Sequence, residues 1–337
     1  MKRLCLLPAV FFVLPLGAQV AVRQGSDRIS IDINGKPFTE FFIGAATTKP
    51  YLHPLRAASG TIVSRHFPME LVEGESRDHP HQRGLWFSHG DVNGYDFWSN
   101  EASYATPNRG KIVIRRILDL KDGKKNGSLT AAFDWLGPKG DALLSELRTM
   151  VYYPDPALRM FDCDITLTAV QQVKFGDTKE GTFGIRLASE LEEPHKDAPP
   201  SPPRTGRMVN SEGQQTESNV WGKRANWVDY FGEIKGEKLG VAIFDHPSNP
   251  RHPTYWHVRS YGLFAANIGS SRNIIAGSRI SSREMLSLFL CPPLIFLLSG
   301  LPTFMSRISY RPRFLSVTST FSFISPSERL SKHSLAL

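Results

Sequence analysis

Cysteine is scarce in this sequence: only three of the 337 residues are cysteine. So few cysteines exclude a disulfide-stapled scaffold and a zinc site built on cysteine ligands. A chain of this length buries a full hydrophobic core without such staples. Cys163 alternates with Phe161, Ile165 and Leu167, and this alternation predicts a thiol buried inside a β-strand.

The central part of the chain also lacks net charge. The whole sequence carries +8, but two of these charges belong to residues 2 and 3. Residues 269–337 hold eight basic residues against two acidic ones, so residues 19–268 sum to zero. A neutral body argues against nucleic acid as a partner, because nucleic-acid binding needs a basic surface.

Long apolar runs are few, and the first lies at the N-terminus. After two basic residues, residues 4–16 are apolar and too short to span a bilayer comfortably. The small residues Gly17 and Ala18 follow and offer a cleavage point. This order is typical of a secretory signal peptide, here 1–18. We therefore expect an exported protein, periplasmic or extracellular, with no membrane span in its body.

The end of the chain differs in composition from the rest. Residues 269–337 contain 16 Ser and no Asp or Trp, and they include the apolar run LSLFLCPPLIFLLSGL. This run is about long enough for a membrane anchor, but paired prolines in mid-span are unfavourable. We prefer the interpretation that 269–337 is an aberrant or disordered tail from an out-of-frame or corrupted gene end. The domain proper is then 19–268.

No amphipathic helix longer than two turns is evident, whereas short alternating runs separated by turn residues are frequent. RISIDI, Asn34-Gly35 and PFTEFFIG form a strong hairpin signal. The expected strands are 28–33, 60–67, 111–118, 128–136, 145–153, 158–168, 181–188, 226–232, 239–244 and 254–265. The pattern predicts an all-β antiparallel sandwich or barrel, with the Pro-rich stretch 193–206 as an exposed loop.

Residues 78–98 form the densest group of chemistry-bearing side chains, with the sequence DHPHQRGLWFSHGDVNGYDFW. In an extended segment His79 and His81 would point to one face, joined by Arg83. Histidine titrates near neutral pH, so a pair can act as general acid and base. Neutral imidazoles can instead bind a transition metal, and a polar network that only orders a loop is a third interpretation. Trp86 and Trp98 offer flat surfaces for a sugar ring.

Two further segments add acids, bases and aromatic rings. FGDTKEGTFGIR places Arg186 on the strand face opposite Phe183 and Ile185, where it suits a substrate hydroxyl or carboxylate, although a surface salt-bridge cluster explains the segment as well. NSEG supplies Glu212 as a candidate carboxylate base. Trp221 is a candidate ring platform, as is Trp227, with a buried core tryptophan as the alternative for each.

A fourth segment repeats a tripeptide of the first. Asp-His-Pro occurs at 78–80 and again at 245–247, within FDHPSNPRHPTYWHVR. A carboxylate beside an imidazole can orient the ring and support its cation, and proline holds the preceding residue extended. The shared chemistry suggests that two loops converge on one pocket.

These motifs together resemble a family of bacterial proteins known as the PmoA family, or "methane oxygenase PmoA". The resemblance runs from about residue 28 to Asn267, through RDHPHQRGLWFSHGDVNGYDFW, FGDTKEGTFGIRLA, NSEG, WGKRANWVDYFG and AIFDHPSNPRHPTYWHVRSYGLFAAN. The methane monooxygenase subunit of that name is a multi-helix membrane protein, whereas this body is polar and β-rich. The resemblance implies a galactose mutarotase-like β-sandwich (a supersandwich), left incomplete or disordered at the C-terminus by the divergent tail. In that fold histidines and a carboxylate on a concave sheet face act on a sugar.

The leading interpretation is therefore an exported carbohydrate-active protein, such as a sugar epimerase, lyase or hydrolase, with a small-molecule or glycan substrate. The expected catalytic residues are His81, His89, Glu180 and Glu212. The expected substrate-binding residues are His79, Arg83, Trp86, Asp91, Asn93, Arg186, His246 and His257. No metal ligand is assigned, and the cofactor is left open.

Two other classes of function remain. The first is a metal-dependent oxidoreductase or oxygenase that uses His79, His81, His89 and His246. The second is a non-catalytic sugar-binding module, which would bind a glycan without turnover. Metal analysis of the purified protein and a turnover assay separate the three.

The hypothesis that residues 269–337 come from an out-of-frame or corrupted gene end can be tested directly. Sequencing the locus is expected to reveal a frame disruption near codon 268, after which another frame restores the alternating pattern of the body. An intact single frame, with similar tails in related proteins, would contradict it.

Overall fold

The computed structural model describes residues 19–196, 198 and 200–269, together with the backbone of three further strands at 274–276, 279–280 and 286–291. The chain separates into two compact units, Met1–Pro292 and Pro293–Leu337. All described residues belong to the first unit. The expected signal peptide and most of the expected tail lie outside the described residues.

Two large antiparallel sheets form the fold, so the prediction of an all-β antiparallel sandwich is confirmed. The first sheet has eight strands. In spatial order they are β1 (Val20–Gln24), β2 (Arg28–Ile33), β3 (Lys36–Phe42), β4 (Tyr51–His53), β5 (Leu85–His89), β11 (Gly181–Arg186), β16 (Leu263–Asn267) and β15 (Tyr255–Val258). The finer expectation of a mutarotase-like supersandwich stays a prediction.

The second sheet has nine strands. Eight follow one path, in the order β12 (Arg207–Asn210), β13 (Trp227–Ile234), β14 (Glu237–Phe244), β19 (Leu286–Cys291), β9 (Arg159–Ala169), β8 (Ala142–Tyr153), β7 (Gly127–Leu136) and β6 (Lys111–Lys121). A ninth, β18 (Arg279–Ile280), pairs with β9, and a separate ladder joins β10 (Val173–Phe175) to β17 (Ile274–Ala276). Helical structure among the described residues is limited to α1 (Glu217–Val220) and a 3-10 turn at Ser189–Leu191.

Aromatic side chains lock the inner faces of the two sheets together. Phe41 of β3 meets Phe133 of β7 with ring centroids 6.0 Å apart, and Phe87 of β5 meets Trp135 of β7 at 5.9 Å. Along β9 the buried side chains are Phe161, Cys163, Ile165 and Leu167, as the alternation predicts. Burial of such large side chains supplies most of the favourable free energy of folding.

The hairpin predicted at Asn34-Gly35 is present, and both residues have positive φ, 53° and 73°. That pair of conformations is the one a two-residue hairpin loop requires, and Asn-Gly adopts it at low cost. The loop joins β2 to β3 at the edge of the first sheet.

Some strand predictions were wrong. Residues 60–67 form no strand, because this segment makes only isolated bridges, Arg56 to Ile62 and Ser64 to Leu187. The expected strand 254–265 is two strands with a tight turn at 259–262 between them. Strand β5 was not expected, since all five of its residues are buried and it therefore shows no alternation.

The expected boundary at residue 268 does not coincide with the end of strand pairing. The backbone of β19 pairs with β14 on one side and with β9 on the other, and so joins two parts of the second sheet. Residues 286–291 therefore complete that sheet in this structure.

An ion pair is buried between the sheets. The Glu146 carboxylate lies 2.6 Å from the Arg148 guanidinium and accepts a hydrogen bond from Trp135 Nε1 at 2.7 Å. The guanidinium lies over the rings of Phe41, Phe87 and Phe133. Each of these two charged side chains needs the other as its partner, because an unpaired charge buried between the sheets costs several kcal/mol of free energy, on the order of 3–5.

We expect the single substitution Glu146→Leu to lower the free energy of unfolding by about 3–5 kcal/mol, because Arg148 is left buried and unpaired. The double variant Glu146→Leu/Arg148→Met removes both charges and should recover at least half of that loss. Urea unfolding monitored by tryptophan fluorescence measures both. A double variant no more stable than the single one would contradict this account.

Candidate active site

The candidate site lies on the outer face of the first sheet, the face turned away from the second sheet. On β11 the side chains of Phe183 and Ile185 enter the core between the sheets, so Gly184 and Arg186 point to the outer face. Strand pairing places Trp86, Gly184, Ala265 and His257 in one row across β5, β11, β16 and β15. Polar residues from the neighbouring loops lie against this face.

Trp98 covers the middle of this row. Its ring centroid lies 4.9 Å from that of Trp86, and both side chains are fully buried. A Cβ atom on Gly184 would come within 2.9 Å of the Trp98 ring, so this position accepts only glycine without rearrangement. Trp86 is therefore part of a packed layer and offers no free surface to a ligand.

Two buried arginines hold one carboxylate beside this layer. Asp78 Oδ1 lies 2.6 Å from Arg65 Nη1 and 2.9 Å from Arg186 Nη2, and both guanidinium groups are fully buried. Burial acts to raise the pKa of Asp78, but the hydrogen bond from His79 and the charges of Arg186 and Arg65 outweigh it and hold that pKa well below its usual range. Asp78 is consequently a permanent carboxylate at neutral pH.

Asp78 in turn orients His79. Its Oδ2 lies 2.8 Å from His79 Nδ1, so Nδ1–H donates to the carboxylate and Nε2 is left as the proton acceptor. The His79 ring stacks on Tyr261, with centroids 5.4 Å apart and planes within 6°. The His79 side chain remains 42% exposed. His79 is thus a fixed imidazole whose free nitrogen reaches solvent.

His81 lies beside His79 in a different environment. The two rings are 5.6 Å apart, and His81 Nδ1 lies 2.9 Å from the Tyr104 hydroxyl. Burial, with the nearby charges of Lys49 and Arg65, lowers the pKa of His81 to about 2. His81 is therefore neutral at physiological pH and acts as a hydrogen-bond partner for Tyr104.

Residues 78–83 are not extended. The side chains of His79 and His81 still lie together, but that of Arg83 does not join them. His79 has φ of +45° and residues 80 and 81 form a turn, so the two rings meet edge to face rather than side by side. Arg83 turns away to a bidentate contact with Glu101, both bonds at 2.9 Å. It also lies over the Tyr51 ring, 5.7 Å from its centroid, and Tyr51 packs with Trp86 and Trp98.

His257 borders the other side of the site. It is 2% exposed, and both of its ring nitrogens are buried. Burial first, and then the charges of Lys179 and Arg259, lower its pKa to about 3, so the ring is neutral. A neutral imidazole carries one donor and one acceptor, but burial of both nitrogens keeps them away from a ligand on the open surface.

An aromatic surface links His257 to His79. Trp221 is 44% exposed, and its ring lies 6.5 Å from that of His257. The Arg259 guanidinium lies between two rings, 5.5 Å from the centroid of Trp221 and 5.4 Å from that of Tyr261. The partly exposed rings of Trp221 and Tyr261 therefore lie along one continuous surface with the polar groups.

Burial also shifts the pKa of a lysine under the site. Lys49 is 2% exposed and donates to the Trp98 carbonyl at 2.7 Å and to Asn100 Oδ1 at 2.8 Å. Burial lowers its pKa to about 7, although the charges of Glu101 and Asp96 oppose the shift. Lys49 fixes the loop that positions Trp98 and Tyr104.

Glu180 and Arg186 differ in their relation to the site. The charge of Glu180 contributes to the raised pKa of Tyr261, and Glu180 itself contacts Lys179. Arg186 lies beneath the Tyr261 ring, 4.6 Å from its centroid, and is fully buried. It holds Asp78 and Gln82 rather than facing solvent.

The structure places three of the expected residues at one end of the first sheet, away from His79. His89 alternates with Trp86 and points inward, where its ring meets Phe175 and its Nε2 donates to the Gly176 carbonyl at 2.9 Å. Asp91 accepts a hydrogen bond from the Gly94 amide, and Asn93 binds the backbone of residues 172 and 174. These contacts order a turn.

Two others lie apart from the site. Glu212 is exposed in the turn after β12, where it accepts from the Ser211 hydroxyl. His246 accepts hydrogen bonds from Ser248. The second Asp-His-Pro triplet does not repeat the first, because Asp245 orients His252 at 2.7 Å instead of its neighbour His246.

The sequence did not single out Arg65, Lys49, Tyr104 or Tyr261. Each acts through contacts with residues distant in the chain, such as Tyr261 with His79, so no local pattern marks it. One local feature of the sequence marks the position of Tyr261 at a turn: it directly precedes Gly262, whose φ is +83°. That turn between β15 and β16 carries Tyr261 over Arg186.

In the described part of the chain, no three His, Cys, Asp or Glu side chains are grouped so that they could hold a metal ion. Within the same residues, no helix is long and apolar enough to cross a membrane.

The fold and the site define an all-β protein with acid, base and aromatic groups on one sheet face. A model described as "Family of unknown function (DUF6807)" matches residues 28–285, and the chain belongs to this family. No curated protein matches the chain. The comparisons name no PmoA relative, so that resemblance stays a prediction.

Two solved structures show distant likeness. One is an α-galactosidase from Lactobacillus brevis, with TM-score 0.34 and 10% identity over 81% of this chain, which spans only 39% of that protein. The other is the protein HI1317, with TM-score 0.25 and 11% identity over 81% of this chain and 98% of that one. Likeness at this level carries no argument about function.

The neutral buried histidines predict a pH dependence of stability. His53, His81 and His257 have folded-state pKa values of about 3, 2 and 3, whereas an ordinary histidine titrates near 6.5. Below pH about 6.5 these histidines bind protons in the unfolded chain but not in the folded chain. Their contribution to the free energy of unfolding is therefore fully present above this pH and is lost as the pH falls. Each histidine contributes a slope of about 1.4 kcal/mol per pH unit.

Urea unfolding between pH about 7.5 and about 5 measures this slope. Below pH about 6.5 the variant His81→Gln should flatten this slope by about 1.4 kcal/mol per pH unit, because one of the buried histidines that bind a proton only in the unfolded chain is gone. An unchanged slope in His81→Gln would show that His81 is not held neutral.

Proposed function

We propose that this protein is an exported carbohydrate-active enzyme that moves a proton on a sugar, as an epimerase or a lyase does. The observation that carries the proposal is the stack of His79 on Tyr261, with His79 fixed by the Asp78 carboxylate. Export rests on the N-terminal sequence alone. The reaction rests on the chemistry of the site.

His79 is suited to the role of general base. A carboxylate that accepts from Nδ1 fixes the tautomer and stabilises the imidazolium that forms when Nε2 takes a proton. Arg65 and Arg186 keep Asp78 ionised throughout, so the support does not vary with pH in the neutral range. His81 suits proton transfer less well because burial lowers its pKa to about 2, so its ring takes up a proton poorly, and His89 points into the core.

Tyr261 is suited to the role of general acid. Burial raises the pKa of its phenol, so the group carries its proton at neutral pH. The phenol belongs to the same stacked pair as His79. A base and an acid side by side are what epimerisation or elimination requires.

A sugar suits the surface around this pair. Sugars present hydroxyl groups at their edges and apolar C–H faces, and proteins meet these faces with aromatic rings. Trp221 and Tyr261 supply partly exposed rings, while the exposed imidazole of His79 supplies a polar group. This combination favours a carbohydrate over a purely apolar ligand.

The variant His79→Gln tests the proposal. It should lower kcat by about 10²–10⁴-fold on any sugar that the wild type converts, because general base catalysis contributes that much. Proton transfer is followed by NMR, as exchange of a carbon-bound proton in D₂O or as formation of an epimer or unsaturated product.

The matched control is His252→Gln, which removes the histidine from the other Asp–His pair at 2.7 Å. Its kcat should stay within about threefold of the wild type. Full activity in His79→Gln, or an equal loss in both variants, would remove His79 from the reaction.

A further inference from the structure

Trp221 is exposed, whereas the other five tryptophans of the chain are buried or half-buried. It directly follows α1, and 44% of its surface is open to solvent. A single exposed apolar side chain is common and by itself indicates no function. The contacts that hold this ring, and its position relative to His79 and Tyr261, are what distinguish it.

One carboxylate ties the exposed tryptophan to the tyrosine of the candidate site. Glu217 Oε1 lies 2.7 Å from Arg259 Nε, and Glu217 Oε2 accepts a hydrogen bond from the Ser260 amide at 2.6 Å. The Arg259 guanidinium lies 5.5 Å from the ring centroid of Trp221 and 5.4 Å from that of Tyr261. Glu217 therefore holds both α1, which precedes Trp221, and the turn that carries Tyr261.

Backbone contacts fix the chain beside each of these two rings. The hydroxyl of the buried Tyr230 donates to the Ser260 carbonyl at 2.9 Å, one residue before the tyrosine. The Gly222 amide, one residue after the tryptophan, donates to the Trp256 carbonyl at 2.8 Å. Both rings are thus held in place before any ligand arrives, so a ligand that stacks on them does not have to offset the cost of ordering them.

The spacing of the two rings suits two different units of a ligand. Because the Arg259 guanidinium lies between them, one sugar ring does not cover both. The ring centroids of Trp221 and Tyr261 are at most about 11 Å apart, the sum of their two distances to Arg259. Arg259 occupies one side of Trp221, and the exposed part of this ring remains open to a ligand. A sugar unit on Trp221 therefore lies beside the unit that reaches His79.

The centre of this sheet face is filled rather than hollow. Trp86 and Trp98 pack there, and both are fully buried. Small-molecule sites usually enclose most of the surface of their ligand, whereas a ligand above this layer lies against an open surface. A ligand of several linked units compensates for this, because it makes contacts at more than one position along the surface.

From this arrangement we infer that the substrate is a chain of linked sugars, one unit of which reacts at His79 and Tyr261 while a neighbouring unit stacks on Trp221. Trp221 selects oligosaccharides and polysaccharides over free monosaccharides. This inference rests on the proposed function for the site and names its substrate class.

Calorimetric titration of the full-length protein tests the inference. The probes are glucose, mannose, galactose and xylose, each as the free sugar and as its β-1,4-linked tetrasaccharide. At least one tetrasaccharide should bind at least about tenfold more tightly than its own monosaccharide, because stacking on a second aromatic ring adds to the contacts of the first unit.

Variants of the tryptophan locate the second unit. Trp221→Ala should weaken binding of that tetrasaccharide by about tenfold and leave binding of the monosaccharide unchanged. Trp221→Phe keeps an aromatic ring and should restore most of the affinity. Trp227→Ala is the matched control, since it removes a half-buried tryptophan from the second sheet, and it should bind the tetrasaccharide as the wild type does.

Turnover gives a second measurement. In Trp221→Ala the KM for the tetrasaccharide should rise about tenfold while kcat stays within about threefold of the wild type, because the ring binds substrate and transition state alike. His79→Gln should show the opposite pattern, with kcat lowered. An equal loss of kcat in both variants would contradict the placement of Trp221 away from the reacting unit.

The outcomes separate this inference from the proposed function. Equal affinity for each tetrasaccharide and its monosaccharide, no binding of any tetrasaccharide, or full tetrasaccharide affinity in Trp221→Ala overturns the inference. Proton transfer on a monosaccharide that depends on His79 would at the same time uphold the proposed function. Length-dependent binding that is lost in Trp221→Ala, with no proton transfer, would uphold the ligand class and overturn the proposed enzyme.

Discussion

The arrangement of the candidate site depends on the double contact of Asp78 with Arg65 and Arg186. Both guanidinium groups are fully buried, so each needs the carboxylate to offset the cost of leaving water. One arginine comes from the loop after β4 and the other from the end of β11, and Asp78 joins them. The position and tautomer of His79 follow from this contact, and the stack on Tyr261 follows from His79.

Burial sets the protonation of the surrounding groups. His81 and His257 are neutral because the sheet face is covered, while Asp78 stays ionised because two cations hold it. The pKa values of neighbouring titratable groups thus differ widely, which is the usual condition for separate acid and base roles. Gly184 contributes by admitting Trp98, whose ring seals the centre of the face.

The fold class could be predicted from the sequence because it depends on local alternation, as in β9 and in the hairpin at Asn34-Gly35. Strand β5 could not, since a strand buried on both faces has no alternation to read. The site was predicted in part: the Asp-His-Pro triplet at 78–80 marks the oriented histidine. The same triplet at 245–247 does not, because Asp245 is closer to His252. Pairings between distant residues, such as Tyr261 with His79 or Arg65 with Asp78, are set by sheet topology and leave no local signal.

The most direct test of the account is ¹⁵N NMR of the histidine side chains. The account predicts that His79 carries its proton on Nδ1, because Nδ1 donates to the Asp78 carboxylate. A proton on His79 Nε2 would contradict the central claim.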